Sequence, residues 1–200
     1  MTTENTPAAH TPHIDGPNLV GLLALAELEL HLRLTAALTD APDPAFALRV
    51  ATVSAGHLER ARHYSGLARD ARPARDGWDA AWKPSVDLLL DVPALNWLEG
   101  LTGAYVVAGV LTDLAELVPG TDADTSGAEL AAAVREATEH DPGLVGRLSL
   151  FGRRVFGRVL LSGKRIEDTL LEPEKARVRA YFERAGEAFA ERMSTMGLRG

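Results

Sequence analysis

Residues 101–118 read LTGAYVVAGVLTDLAELV and, glycines aside, are polar only at Thr102, Thr112, Asp113 and Glu116. Within a segment running from about Pro93 to the stop at Pro119-Gly120, this pattern describes a helix covered on most of its sides. A covered helix needs other helices around it, and the composition supplies them. Ala (32) and Leu (30) dominate the 200 residues, Ile occurs only at Ile14 and Ile166, and aromatic residues number 11. Ala and Leu lose little on entering a helix, whereas strand formers are scarce. The expected fold class is all-α.

Periodicity and punctuation predict six helices, the central one included. The first spans about 18–39, with Leu19, Leu23, Leu30, Leu34 and Leu38 as its stripe. The second spans about 44–70, with Phe46, Val50, Val53, Ala61 and Tyr64 on one face. Residues 69–91, broken by Pro73, Gly77 and Pro84, read as a loop with one short turn, pinned by Trp78 and Trp82. Beyond the central helix, Ser126-x-x-Glu129 reads as a capping box opening a helix that closes near His140. Asp141-Pro142 reads as the cap and first residue of the next helix. The last starts at Pro173, carries Val178, Phe182, Ala185, Phe189 and Met196 on one face, and stops at Gly197. No internal repeat stands out. Long helices and short connections make a helical bundle. One domain over 18–197 is expected, behind a disordered polar tail from Met1 to Pro17.

The chain is long enough to bury about two-thirds of its unfolded surface without a staple. It has no cysteine, which excludes disulfides, thiolate metal sites and a cysteine nucleophile. The tail lacks the apolar core of a signal peptide, and no uninterrupted apolar run reaches the ~18 residues of a membrane span. The expectation is a cytoplasmic protein with no membrane partner. A formal charge of −7 argues against a dedicated nucleic-acid binder. The charge is uneven, however. Residues 76–141 hold 13 acids against Lys83 and Arg135, while residues 142–165 hold six bases and no acid.

Bundles place chemistry on inward faces, so polar residues within apolar stripes are the candidates. Glu27 lies on the buried line of the first helix, four after Leu23 and three before Leu30. An inward carboxylate needs a cation, a metal or a proton, and His31 one turn on is the nearest partner in sequence. His57 follows Val53 by four and precedes Ala61 by four, so it points inward as a core histidine or a metal ligand. A histidine without a partner there should tolerate replacement by leucine. His63 and Glu59 read as an outer-face pair. Arg147, Arg154, Arg158 and Arg165, separated by seven, four and seven, form one basic stripe: a solvated face, a face paired with the acidic segment, or an anion surface.

These residues carry a resemblance. Ala26-Glu27-Leu28, Gly56-His57-Leu58, Trp97-Leu98-Glu99-Gly100-Leu101 with Ala104-Tyr105-Val106, and Asp141 to Leu148 leading to Arg153-Arg154 resemble actinobacterial ferritin-like proteins. Those proteins are distantly similar to tRNA 2-methylthio-N6-isopentenyladenosine hydroxylases. The resemblance implies an up-down ferritin-like bundle with additional C-terminal helices. It also implies a place for two irons, held by a Glu from each of two helices and Glu-x-x-His from two others. Glu27 matches the first-helix carboxylate and His57 the second-helix imidazole. The position of the second-helix Glu is Ser54, the third-helix acid falls near Ala108, and no Glu-x-x-His occurs in the chain.

The expectation is a bundle that has lost its di-iron centre, needs no cofactor, and acts without catalysis through its surface, a protein partner or self-association. In this reading Glu27 and His57 are vestigial metal ligands. The alternatives are a di-iron hydroxylase with a rearranged ligand set, and an RNA- or anion-binding module using Arg147, Arg154, Arg158 and Arg165.

Overall fold

The computed structural model describes residues 18–71, 78–119, 121 and 127–200. The proposed tail therefore lies outside the described residues. Among those described there are eight α-helices and no strand: α1 (Leu19–Ala37), α2 (Pro44–Ala71), α3 (Trp78–Leu90), α4 (Trp97–Ala115), α5 (Gly127–Thr138), α6 (Pro142–Thr169), α7 (Glu174–Phe182) and α8 (Ala185–Thr195). A short 3-10 turn, Leu38–Asp40, follows α1.

Local chemistry sets the starts of three of the helices. The Asn18 side chain accepts from the Gly21 amide at 2.9 Å, that of Asn96 from Glu99 at 3.0 Å, and that of Asp141 from Leu144 at 2.8 Å. Glu99 returns the favour by accepting from the Leu95 amide at 2.7 Å, which closes a reciprocal cap. The central helix thus begins at Asn96, and Pro93-Ala94 belongs to the connection before it. Ser126 lies outside the described residues.

Two layers of three helices result. In one, α1 is flanked by α2 and α3; in the other, α4 is flanked by α5 and α6; and α2 meets α5, α1 meets α4 and α3 meets α6 across the interface. Leu101, Val106, Val107, Leu111 and Leu114 of α4 are buried, as its sequence requires. By length and composition α4 is apolar enough to cross a membrane, but here it is the middle of a layer. The start of α1 is equally enclosed: Leu22 to Glu27 are all buried, so a single stripe understates how much of this helix is covered.

Two expectations are corrected. Residues 78–90 are a helix rather than a loop with one turn, and Pro84 lies inside it. Trp82, Val86 and Leu89 are fully buried between α1 and α6, and that burial outweighs the ~3 kcal/mol penalty of an internal proline. The C-terminal helix is two helices, α7 and α8, broken at Glu183-Arg184. The break lets both segments lie close to α6. A Cβ on Gly163 would stand 2.6 Å from the Phe182 ring, and one on Gly152 2.6 Å from the Met193 methyl, so glycine lets both side chains come close to α6, most strictly at the rigid Phe182 ring.

Polar anchors fix this C-terminal pair. The Tyr181 hydroxyl donates to Asp113 at 2.9 Å, and Arg192 pairs with Asp113 and donates to the Gly109 carbonyl at 3.0 Å. Burial, then the Asp113 charge, pushes the Tyr181 hydroxyl far above its ordinary value. Arg179, at 2.7 Å, holds the Glu167 carboxyl below the usual carboxylate range.

Candidate functional site

Helices α1 and α2 pack along their length, and this brings Glu27 and His57 together. Their side chains are 4% and 0% exposed. The His57 Nδ1 lies 2.6 Å from Glu27 Oε2. Three residues further along α2, and therefore on the same face, Arg60 brings its Nε to 3.2 Å from that oxygen and its Nη2 to 2.6 Å from His57 Nδ1. The cation that an inward Glu27 requires is thus an arginine.

Counting donors decides which contact at Nδ1 is the hydrogen bond. A guanidinium only donates, and one ring nitrogen cannot both donate to Glu27 and accept from Arg60. Nδ1–H donating to the carboxylate forms a charge-assisted bond and makes the Arg60 approach a contact only. Among the described residues, His57 Nε2 is buried without a hydrogen-bond partner. The Glu27 carboxylate, 4% exposed, is thus met by the guanidinium of a side chain that is itself 19% exposed.

The neighbouring polar residues are tied to one another. His31 turns away from Glu27, and its Nδ1 donates to the Ser54 carbonyl at 2.9 Å. The Ser54 hydroxyl donates to the His31 carbonyl at 3.1 Å and lies 2.9 Å from the Thr35 hydroxyl. The proposed Glu27–His31 pair is therefore replaced by Glu27–His57–Arg60 on one side and His31–Ser54–Thr35 on the other. The proposed Glu59–His63 pair is also corrected: Glu59 takes Arg62 at 2.6 Å, and the His63 ring lies against Tyr64.

His57→Leu is not the tolerated change that a partnerless histidine would allow. It removes a donor from a buried carboxylate, and the expected loss is about 1–3 kcal/mol by chemical denaturation. Stability within a few tenths of wild type would show that the 2.6 Å contact contributes nothing.

The donor set does not fit a pair of irons. Two such ions want on the order of ten donors, and the site offers one carboxylate and one imidazole beside a permanent cation. Ser54 is engaged with His31 and Thr35, and Ala108, 4% exposed, has no donor to give. Acids on α4 and α5 are employed elsewhere: Glu99 caps its helix, Asp113 holds Tyr181 and Arg192, and Glu129 and Glu136 face Arg49 at 3.6 and 3.0 Å. Among the described residues, no group of three or more His, Asp or Glu is placed to hold a metal ion.

The arginine stripe lies elsewhere, on the outer side of α6. Arg147, Arg154 and Arg165 are exposed and Arg158 is half-buried, and none of the four pairs with an acid among the described residues. The expectation that this face pairs with the preceding acidic segment is thus not met there. A cleft of about 460 Å³ opens at one end of the bundle, among Leu30, Leu34, Leu89, Trp97, Val107 and Phe151. Its mouth carries Arg33, Asp40 and Asp91, a mixture that selects no one class of ligand. Sequence reasoning missed Arg60, although its spacing of three from His57 was the available signal.

A family model described as a ferritin-like domain of actinomycetes matches residues 15–171. The match covers α1 to α6 and stops before α7, so the C-terminal pair is an addition to the matched domain. No curated protein matches the chain.

Proposed function

The chain belongs to the actinomycete family of ferritin-like domains, and from that membership we propose a non-catalytic protein that acts through its surface. In this reading the ancestral di-iron position is closed by the Glu27–His57–Arg60 network, and the bundle serves as a rigid cytoplasmic platform for a partner. The observation that carries the reading is Arg60. A guanidinium 3.2 Å from the carboxylate occupies the electrostatic role of a metal while being unable to coordinate anything. No cofactor is required by this reading, and Glu27 and His57 keep a structural role.

The second reading is a di-iron, oxygen-activating hydroxylase distantly similar to the tRNA hydroxylases, with a rearranged ligand set. It is favoured by one observation, the unpartnered Nε2 of the fully buried His57. Iron separates the two. Protein expressed with excess iron and purified without chelator is expected to retain well under one iron per chain and to show no ultraviolet charge-transfer band of an oxo-bridged pair. About two irons per chain would put the hydroxylase first.

A further inference from the structure

Laid along α6, the sequence repeats itself. Gly146-Arg147-Leu148-Ser149-Leu150-Phe151-Gly152-Arg153-Arg154-Val155 is followed, eleven residues on, by Gly157-Arg158-Val159-Leu160-Leu161-Ser162-Gly163-Lys164-Arg165-Ile166. The repeat is too short and too degenerate to stand out before the helix is in view. Eleven residues make three turns and only about 20° more, so equivalent residues recur on one side of the helix, about 16 Å apart.

The structure divides the repeat in two. Inward, Leu148 and Val159, and Val155 and Ile166, are buried, and Gly152 and Gly163 receive Met193 and Phe182. Arg153 and Lys164 are tied down, the first to the carbonyls of Arg199 and Gly200, the second to Glu167 and Asp168. Outward, two patches remain: Gly146, Arg147, Leu150 and Arg154, then Gly157, Arg158, Leu161 and Arg165. Leu150 and Leu161 are 64% and 58% exposed. A Cβ on Gly146 or Gly157 would meet nothing within 4 Å, so no internal packing requires glycine there.

Each of these features is unfavourable to the isolated fold. Unpaired arginines four apart repel, interior glycines weaken a helix, and exposed leucines gain nothing. An outside surface that is anionic, apolar beneath and flat would relieve the first and the third, and at the bare glycines it could approach the helix backbone closely. We propose, resting on the surface-acting reading above, that the outer face of α6 docks on anionic phospholipid bilayers, with the arginines on lipid phosphates and the two leucines at the acyl boundary. Because the two patches differ by only about 20° in azimuth, one plane reaches both. A second copy docking on the same face would set arginine against arginine. An RNA would satisfy the arginines but offer the leucines no apolar counterpart, and neither outward patch carries an aromatic side chain for bases to stack on.

The test is flotation of the full chain with vesicles of phosphatidylcholine alone and of phosphatidylcholine with about one-third phosphatidylglycerol. Binding to the anionic vesicles only is expected, weakening at least about tenfold between about 50 and 300 mM salt. Arg154→Glu with Arg165→Glu should abolish it, and Leu150→Ser with Leu161→Ser should weaken it several-fold at unchanged helicity. Leu48→Ser, at a leucine 70% exposed on α2, should leave it unchanged. Where the charge reversals disturb folding, Arg154→Gln with Arg165→Gln carries the same expectation. No binding to anionic vesicles, binding indifferent to these substitutions, or binding to polyuridylate without binding to vesicles would overturn the proposal, the last giving the face to nucleic acid. Iron content of the same preparation separates the two levels: low iron without vesicle binding removes the docking surface alone, and two irons per chain removes the reading beneath it.

Discussion

Arg60→Met is expected to lower stability by about 3 kcal/mol, because it takes the counter-ion from a carboxylate that is 4% exposed. For a domain of this length that is a fall in Tm of roughly 10 °C. The loss arises because Glu27 stays where α1 puts it, 4% exposed, with the His57 ring as its remaining polar contact. Adding Glu27→Leu should return most of that loss, since an apolar pair of suitable volume replaces a buried ion pair at little or no penalty. The double-mutant cycle therefore carries a large coupling energy, readable by chemical denaturation. Additive losses would mean that Arg60 and Glu27 stabilise the fold independently, and that Arg60 is not the counter-ion.

Asp113→Ala should be nearly as damaging, by about 2–3 kcal/mol, because it strips acceptors from two groups at once. Arg192, 16% exposed, loses its carboxylate, and the Tyr181 hydroxyl loses its acceptor. The damage should be local to α7 and α8, appearing as faster amide exchange over residues 174–195 while α1 and α2 stay protected. The same residues set an alkaline limit. Tyr181 in the folded chain holds its proton far above the ordinary value near 10, so above that pH the unfolded state releases a proton that the folded state keeps. Stability should fall as pH rises past about 10. Uniform loosening of all helices, or stability flat through that range, would contradict the assignment.

The helices legible in the sequence are those whose signals are local. Asn18, Asn96 and Asp141 cap through their own side chains, and the apolar character of residues 101–118 survives any tertiary arrangement. Helix α3 was hidden because Pro84 argues against it locally, and only the burial of Trp82, Val86 and Leu89 against other helices outweighs that. The break at Glu183-Arg184 was hidden for a similar reason: Val178, Phe182, Ala185 and Phe189 keep helical spacing through it, while Gly152 and Gly163, against which Met193 and Phe182 pack, lie on another element. At the site, inward positions for Glu27 and His57 follow from spacing alone. Their pairing with Arg60 does not, because a long side chain on the flank of a helix can turn inward or outward, and only the neighbouring carboxylate decides which.

In the proposed function the Arg60 guanidinium takes the place of a metal's charge beside Glu27, and one crystal tests that reading. Crystals of the protein grown with excess iron, measured with anomalous scattering at the iron edge, are predicted to show the Arg60 guanidinium within about 3 Å of Glu27 and no anomalous peak in the bundle centre. One or two iron peaks between Glu27 and His57, with Arg60 displaced to solvent, would contradict it.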